Sequence, residues 1–468
     1  MKRAGKIFLE NVYFEYDDSP ILRNIYLALD EGEKIALMGE NGSGKTTLSL
    51  ILAGIFKPSK GSVVIDGVSI WDVSEKNFRK KIGYVFQNPE DGFVADSVFR
   101  ELAFGAENFA LPSDEIIIRI KNLIEKFEID TEKSPLELSG GMKARLSIAS
   151  ALATGAEIFI LDEPESFLDL RGKKALISAI DDIAAESTII HITQSSKIAK
   201  NYDSTYFIQN GHLKTANSKS FRKIEPPIES LKIPARGSLL MRLEDISFSY
   251  VPRQSKILKS ISLEIHQGEV IGLVGSSGSG KTTLALIIAG ILKSQKGFID
   301  KKCRVAIAMQ FPERQLFADT VMEDVMYGPE NLHLPDARIS AEKSLEAVGI
   351  FSELWNCSPF LLSDGQQRRV GIAGVLAVQP DLLILDEPFA TLDFDGTIRV
   401  IEIIKNFAQS GKAVLIITHN TNILSKIAHR TVAMLNGTII YDGETKTLLN
   451  DKDLCERIGI ASIDDNYI

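Results

Sequence analysis

One glycine-rich segment occurs twice in this chain of 468 residues, and the repetition limits the fold more than any other feature. GENGSGKTTLSLILAGIFK at 39–57 recurs as GSSGSGKTTLALIIAGILK at 275–293, an offset of 236 (281 − 45). Further on, LSGGMKARLSIASALA recurs as LSDGQQRRVGIAGVLA and FILDEPESFLD as LILDEPFATLD, at an offset of 224 (386 − 162). The offset shrinks between the glycine-rich loop and the glutamines Gln87 and Gln310, where the second copy is shorter. A period this long marks a duplicated domain, and each copy can bury its own core. The expected division is 1–222 and 239–468, with a linker at 223–238 whose Pro226, Pro227, Pro234 and Gly237 interrupt any hydrophobic periodicity.

Each half reads as alternating strands, a buried strand entering the glycine-rich turn, an apolar helix, a helical middle and two further buried strands. That order predicts an α/β core in both halves. GENGSGKTT and GSSGSGKTT satisfy the P-loop pattern in its strand–loop–helix setting. Gly39, Gly42 and Gly44, like Gly275, Gly278 and Gly280, let successive backbone N–H groups converge on a phosphate. Asn41 and Thr47, with Ser277 and Thr283, complete the two nucleotide-binding loops. Lys45 and Lys281 are placed for the β/γ-phosphates, and Thr46 and Thr282 offer hydroxyls to Mg²⁺.

ILDEP at 160–164 and 384–388 ends an apolar strand with two acids. Asp162 and Asp386 are expected to hold Mg²⁺ through water, and Glu163 and Glu387 to polarise the attacking water. Ser139 and Ser363 look like helix N-caps, and each precedes its acid by 23 residues (162 − 139 and 386 − 363).

The formal charge is −9, from 53 basic and 62 acidic residues, which argues against a broadly basic nucleic-acid binder. Cys303, Cys357 and Cys455 are too scattered for a metal-ligand or disulfide framework, so a reduced cytosolic setting is expected. The N-terminal residues lack the apolar stretch of a secretory signal, and no apolar run is long enough to span a bilayer.

The P-loop, glutamine loop, LSGGQ-like signature, ILDEP, S/T-x-LD and strand-end TH together resemble the ATP-binding cassette (ABC) ATPases, twice over. The resemblance implies two tandem P-loop NTPase domains. Each would have a RecA-like core, an antiparallel β subdomain and a helical signature subdomain. It implies that Tyr16 and Tyr250 stack on adenine and that Gln87 and Gln310 sense Mg²⁺ and the partner. It also implies that the signature of one cassette, Ser139, Gly140 and Gly141 or Ser363, Asp364, Gly365 and Gln366, closes over nucleotide held by the other. ATP with Mg²⁺ is then the expected ligand, and hydrolysis to ADP the expected activity.

The two sites are not expected to be equal. IITHN puts His419 at the switch-histidine position, whereas HITQS puts Gln194 there; His191, three residues earlier, is given no role. Gln194 can donate a hydrogen bond but cannot carry charge, and losing such a donor commonly costs about 10²–10³ in rate. LSDGQ also sets Asp364 where LSGGM has Gly140. Head-to-tail pairing would combine Lys281, Glu387 and His419 with Ser139 and Gly141, and Lys45, Glu163 and Gln194 with Ser363 and Asp364. The first of these composite sites is expected to do most of the hydrolysis.

QNPEDGFVADSV…FGAENFALP and QFPERQLFADTV…YGPENLHLP resemble the ATPases of energy-coupling factor (ECF) importers for vitamins or cobalt and nickel. YDGETKTLLNDKDLCERIGI at 441–460 resembles the start of their C-terminal extension. That likeness implies a peripheral position on the cytoplasmic face of the membrane. Its partners would be a membrane T-component and a substrate-binding S-component, with no direct cargo contact and no nucleic acid. Glu90, Asp96, Glu313 and Asp319 are candidate acceptors for basic residues of the T-component. A tandem ABC ATPase acting on ribosomes or nucleic acid is the alternative, against which the short Pro-rich linker and acidic balance weigh.

Overall fold

The computed structural model describes residues 6–463 except 17–18, 73–77, 79, 184–185, 216–229, 232–235, 252–255, 311–314, 391 and 393. Most of the segment expected as a linker, and Glu313, therefore lie outside the described residues. The chain forms two compact units, Met1–Glu225 with Tyr467–Ile468, and Pro226–Asn466.

In the first unit a six-stranded sheet runs in the order His212–Thr215, Ser204–Gln209, Lys34–Gly39, Thr188–Ile192, Ile158–Asp162, Ile82–Val85. Neighbours pair in parallel except at the His212–Thr215 edge. Thr188–Ile192 and Ile158–Asp162 are buried at every residue, as expected of parallel strands covered on both faces. That double burial explains their unbroken apolar runs. The second unit repeats the sheet as Val305–Ala308, Leu382–Asp386, Ala413–Ile417, Val270–Val274, Arg430–Leu435, Thr438–Glu444.

Each unit adds a smaller antiparallel sheet. Ile7–Tyr16 pairs with both Ser19–Leu29 and Lys60–Ile65, and buries Ile7, Leu9 and Val12 on its inner side. The alternation slips after Leu9, where Asn11 takes a left-handed φ of 51° at a register shift. Leu239–Phe248 repeats the device, with Asp245 at φ 52°. The extra residues of the first copy supply a fourth strand, Val68–Ser69, which the second sheet does not have among its described residues.

A helical group follows each core: Val98–Asn108, Ser113–Phe127 and Gly140–Ala153 in the first unit, and Val321–Asn331, Ala337–Ala347 and Asp364–Ala377 in the second. Their packing comes from apolar residues at helical spacing. Ser113–Phe127, for example, buries Ile116, Ile120 and Phe127 while its charged residues face out. The architecture is thus two tandem α/β P-loop NTPase units.

Candidate functional site

In each unit the chemistry-bearing residues emerge at the C-terminal ends of adjacent parallel strands, the usual ligand-binding edge of such a sheet. Lys34–Gly39 runs into the phosphate loop and the helix Lys45–Leu52, and Val270–Val274 into the helix Lys281–Ala289. Both helices are entered through a left-handed glycine, Gly44 at φ 101° and Gly280 at φ 100°. Gly39 and Gly275 are required by space, since an added Cβ would lie 2.6 Å from the Ile208 carbonyl oxygen and 2.3 Å from that of Met434.

Lys45 is buried and donates from Nζ to the carbonyls of Gly39 (2.9 Å) and Glu40 (3.0 Å). Lys281 does the same to Gly275 (2.8 Å) and Ser276 (3.0 Å). These bonds hold each ammonium inside its loop. Asn41, Gly42, Thr46 and Thr47 lie on the first loop and helix start; Ser277, Gly278, Thr282 and Thr283 repeat them.

Asp162 and Asp386 end the equivalent strands Ile158–Asp162 and Leu382–Asp386, one in each unit, and are buried. Thr282 donates from Oγ1 to Asp386 Oδ2 at 2.9 Å, so the hydroxyl and carboxylate expected around a cation already lie together. Burial pushes the Asp386 carboxyl above its ordinary range, against the pull of Thr282, Lys281 and Arg368. A hydroxyl beside a carboxylate is a hard oxygen pair that fits Mg²⁺, which usually binds through a few protein oxygens plus phosphates.

Glu163 and Glu387 follow those aspartates in left-handed conformation, at φ 47° and 49°. Their N–H groups donate to the carbonyls of Ile192 (3.0 Å) and Ile417 (2.9 Å), which hold this sparsely populated backbone in place. The acids then meet different groups. Gln194 donates from Nε2 to Glu163 Oε1 (3.0 Å) and to Asn41 Oδ1 (2.9 Å). In the second unit His419 Nε2 lies 3.6 Å from Glu387 Oε1, and Thr418 donates from Oγ1 to Glu387 Oε2 at 3.3 Å.

Gln87 and Gln310 lie just beyond Ile82–Val85 and Val305–Ala308, each half-buried. One contributor was missed in the sequence. The buried Arg368, on the signature helix, donates to the Gln310 carbonyl (2.6 Å) and to the Glu387 carbonyl. It ties the glutamine loop, the strand-end acid and the helical group together, and Ala144 takes its place in the first unit. The pair of arginines in LSDGQQRR, just before the helix continues as the apolar run VGIAGVLA, was the available signal.

Tyr16 and Tyr250 stand 44% and 58% exposed. Tyr16 makes edge contacts with Phe14 and Phe56, and the Tyr250 hydroxyl lies 3.1 Å from Thr283 Oγ1. Ser139 and Ser363 occupy N-cap positions. Ser363 forms a capping box with Gln366, whereas the Ser139 side chain makes no cap bond. Gly140 and Gly141 open the first signature helix; Asp364 and Gly365 open the second, and the Asp364 side chain lies outside the described ones.

The expectation that Glu90 awaits a partner's basic residue needs correcting. Glu90 Oε1 pairs with the buried ammonium of Lys143 at 2.6 Å, within its own unit. Asp96 pairs with Arg100 at 3.2 Å, and Asp319 is exposed.

The ABC transporter family (ABC_tran) matches residues 22–166 and 258–390. A Bifidobacterium longum protein named "Putative ABC transporter ATP-binding protein" is 32% identical over 91% of this chain, which spans 64% of that protein's length. A Methanosarcina acetivorans protein of the same name is 30% identical over 98% of this chain and 89% of its own. Among solved structures, one titled "RNase-L Inhibitor" covers 96% of this chain and 93% of its own, with a TM-score of 0.66 and 22% identity. Another, "Model of ribosome-bound archaeal Pelota and ABCE1", covers 94% and 79%, with a TM-score of 0.71 and 21% identity. Both are likenesses of fold.

Proposed function

The chain belongs to the ABC transporter family of ATPases, and on that footing we propose that it energises an ECF-type importer of a vitamin or of cobalt or nickel. Its tandem cassettes (1–222 and 239–468, around a linker at 223–238) pair head to tail, each binding ATP with Mg²⁺. When bound, the cation neutralises charge developing on the phosphates. Lys45 and Lys281 grip the phosphates, Tyr16 and Tyr250 stack on the base, and Glu163 and Glu387 orient the attacking water. The signature helix of the opposite cassette closes the site, so closure follows ATP binding and opening follows hydrolysis.

The observation that carries the transport reading is a duplicated surface. In the first unit Glu101 accepts from the N–H groups of Val94 (2.9 Å) and Ala95 (2.8 Å). In the second, Asp324 accepts from Phe317 (2.8 Å) and Ala318 (2.9 Å). Each acid pins a loop just beyond the glutamine, leaving Val94 62% and Phe317 58% exposed. Two matching apolar tips suit a pair of similar helices on a membrane partner. The transporter names of the relatives that align over nine-tenths of the chain support the same reading. No helix among the described residues is long and apolar enough to cross a membrane.

A second reading, a tandem ATPase acting on ribosomes, is supported by the solved two-cassette neighbours, one of them titled as ribosome-bound. Affinity purification in mild detergent separates the two. Co-purification of an integral membrane pair, with no ribosomal sedimentation, is expected. Salt-sensitive sedimentation with ribosomes and no membrane partner would reverse the order.

The composite sites are unequal in this proposal. The site with Lys281, Glu387 and His419 carries most of the turnover, and the site with Lys45, Glu163 and Gln194 turns over slowly.

A further inference from the structure

The first unit buries a polar cluster beside its strand-end acid, three of whose positions are apolar in the second unit. Glu165, His191 and Thr193 are 7%, 0% and 0% exposed. Glu165 Oε2 lies 2.8 Å from His191 Nε2, and its other oxygen accepts from the Thr193 hydroxyl. His191 Nδ1 in turn meets the Tyr202 hydroxyl. At the positions matching Glu165, His191 and Tyr202, offset by 224 at the acids and 225 along the following strand and beyond, the second unit has Phe389, Ile416 and Ile427, all buried in one apolar cluster, while Thr193 is matched by Thr418.

Burying a carboxylate is costly unless it is paired and hydrogen-bonded, and three apolar residues fill the same space in the second unit without that cost. The cluster therefore calls for a role, and the threonine points to one. A hydroxyl has a single proton to donate. Thr418 gives its proton to Glu387, whereas Thr193 gives its proton to Glu165. The Thr193 oxygen also accepts from the Ser195 N–H at 3.0 Å, so the strand end is gripped on both sides of Gln194. Gln194 is the residue that donates to Glu163 in this unit.

We propose that Glu165 is a positioning residue for ATP hydrolysis in the first cassette. Held by His191 and Tyr202, it fixes Thr193 and so presents the Gln194 amide to Glu163, replacing the threonine and histidine arrangement of the second cassette. This rests on the reading that the first cassette hydrolyses ATP slowly rather than not at all.

Vanadate trapping of 8-azido-ATP with Mg²⁺ in the full chain, with labelled peptides assigned to either cassette by mass spectrometry, reads each site separately. Glu165→Ala is expected to lower first-cassette trapping about tenfold or more, the scale set by small misplacements of reacting groups. Its affinity for trinitrophenyl-ATP should be unchanged, as should trapping in the second cassette. Glu165→Gln, whose amide oxygen still accepts from Thr193, should retain most of the trapping. The triple change E165F/H191I/Y202I installs residues that the second unit packs, so it guards against simple misfolding, and it should behave as Glu165→Ala. Adding Glu165→Ala to Gln194→Ala should cost nothing further. A triple variant that traps like the native chain, or additive losses from Glu165 and Gln194, would overturn the positioning role alone. No first-cassette trapping in the native chain would instead remove the slow-hydrolysis reading, and the inference with it.

Discussion

Gln194 bridges Glu163 and Asn41, at 3.0 and 2.9 Å, and so ties the strand-end acid of the first unit to its own phosphate loop. His419, at the matching position, sits 3.6 Å from Glu387. The amide is a neutral donor with fixed capacity, whereas an imidazole can become cationic as charge builds on the phosphate. Replacing Gln194 with alanine should lower first-site turnover by about 10²-fold, the usual effect of losing a transition-state donor. Replacing it with histidine should raise turnover. Single-turnover hydrolysis in a Glu387→Gln background measures both, and a histidine variant slower than the native chain would contradict this role for the side chain.

The phosphate-loop lysines give a binding prediction. Each ammonium is held by two loop carbonyls and is the cation nearest the expected β/γ-phosphates. Lys45→Ala and Lys281→Ala should each remove ATP from one cassette and leave the other occupied. Equilibrium binding of a non-hydrolysable analogue should then show half the native stoichiometry. Full stoichiometry in either variant would detach that loop from nucleotide.

A stability prediction concerns Lys143 and Glu90. Burial lowers the Lys143 pKa, and its ammonium lies 2.6 Å from the Glu90 carboxylate. Glu90→Ala should destabilise the first unit by about 2 kcal/mol, the scale of a lost charged hydrogen bond with one buried partner. Adding Lys143→Met should recover part of that loss, because the stranded charge is removed as well. Thermal unfolding of both variants checks this, and a double variant less stable than Glu90→Ala would refute it.

Acid sensitivity should distinguish the two units. Burial alone would raise the Glu165 carboxyl, but the charge and hydrogen bond of His191 and the hydroxyl of Thr193 bring it below its ordinary 4.5. A depressed carboxyl contributes stability above its unfolded pKa, and loses it as pH falls through the folded value. The contribution should therefore fade as pH falls below about pH 4.5. Replacing the cluster with E165F/H191I/Y202I should flatten the acid limb of the first unit's unfolding curve. An unchanged acid limb would show that Glu165 is not linked to folding.

Legibility followed sequence distance. The phosphate loops and strand-end acids were visible because a strand, its turn and the next helix are continuous in the chain. Gln194 was visible because the chain carries its own comparison in His419. Arg368 was not, because it reaches carbonyls 19 and 58 residues away, and a basic pair on a helix reads as solvent-facing. Glu90 was misread for the same reason, since Lys143 lies 53 residues further on. His191 was passed over because its partner, Glu165, belongs to the preceding strand's exit. Packing brought these pairs together, and no local pattern announced them.

The inequality of the two composite sites is tested most directly by ATPase activity of the assembled complex carrying Glu163→Gln or Glu387→Gln. Glu387→Gln should remove most of the steady-state activity, and Glu163→Gln should leave most of it. Loss of activity with Glu163→Gln but not with Glu387→Gln would contradict the assignment, and equal losses would contradict the inequality itself.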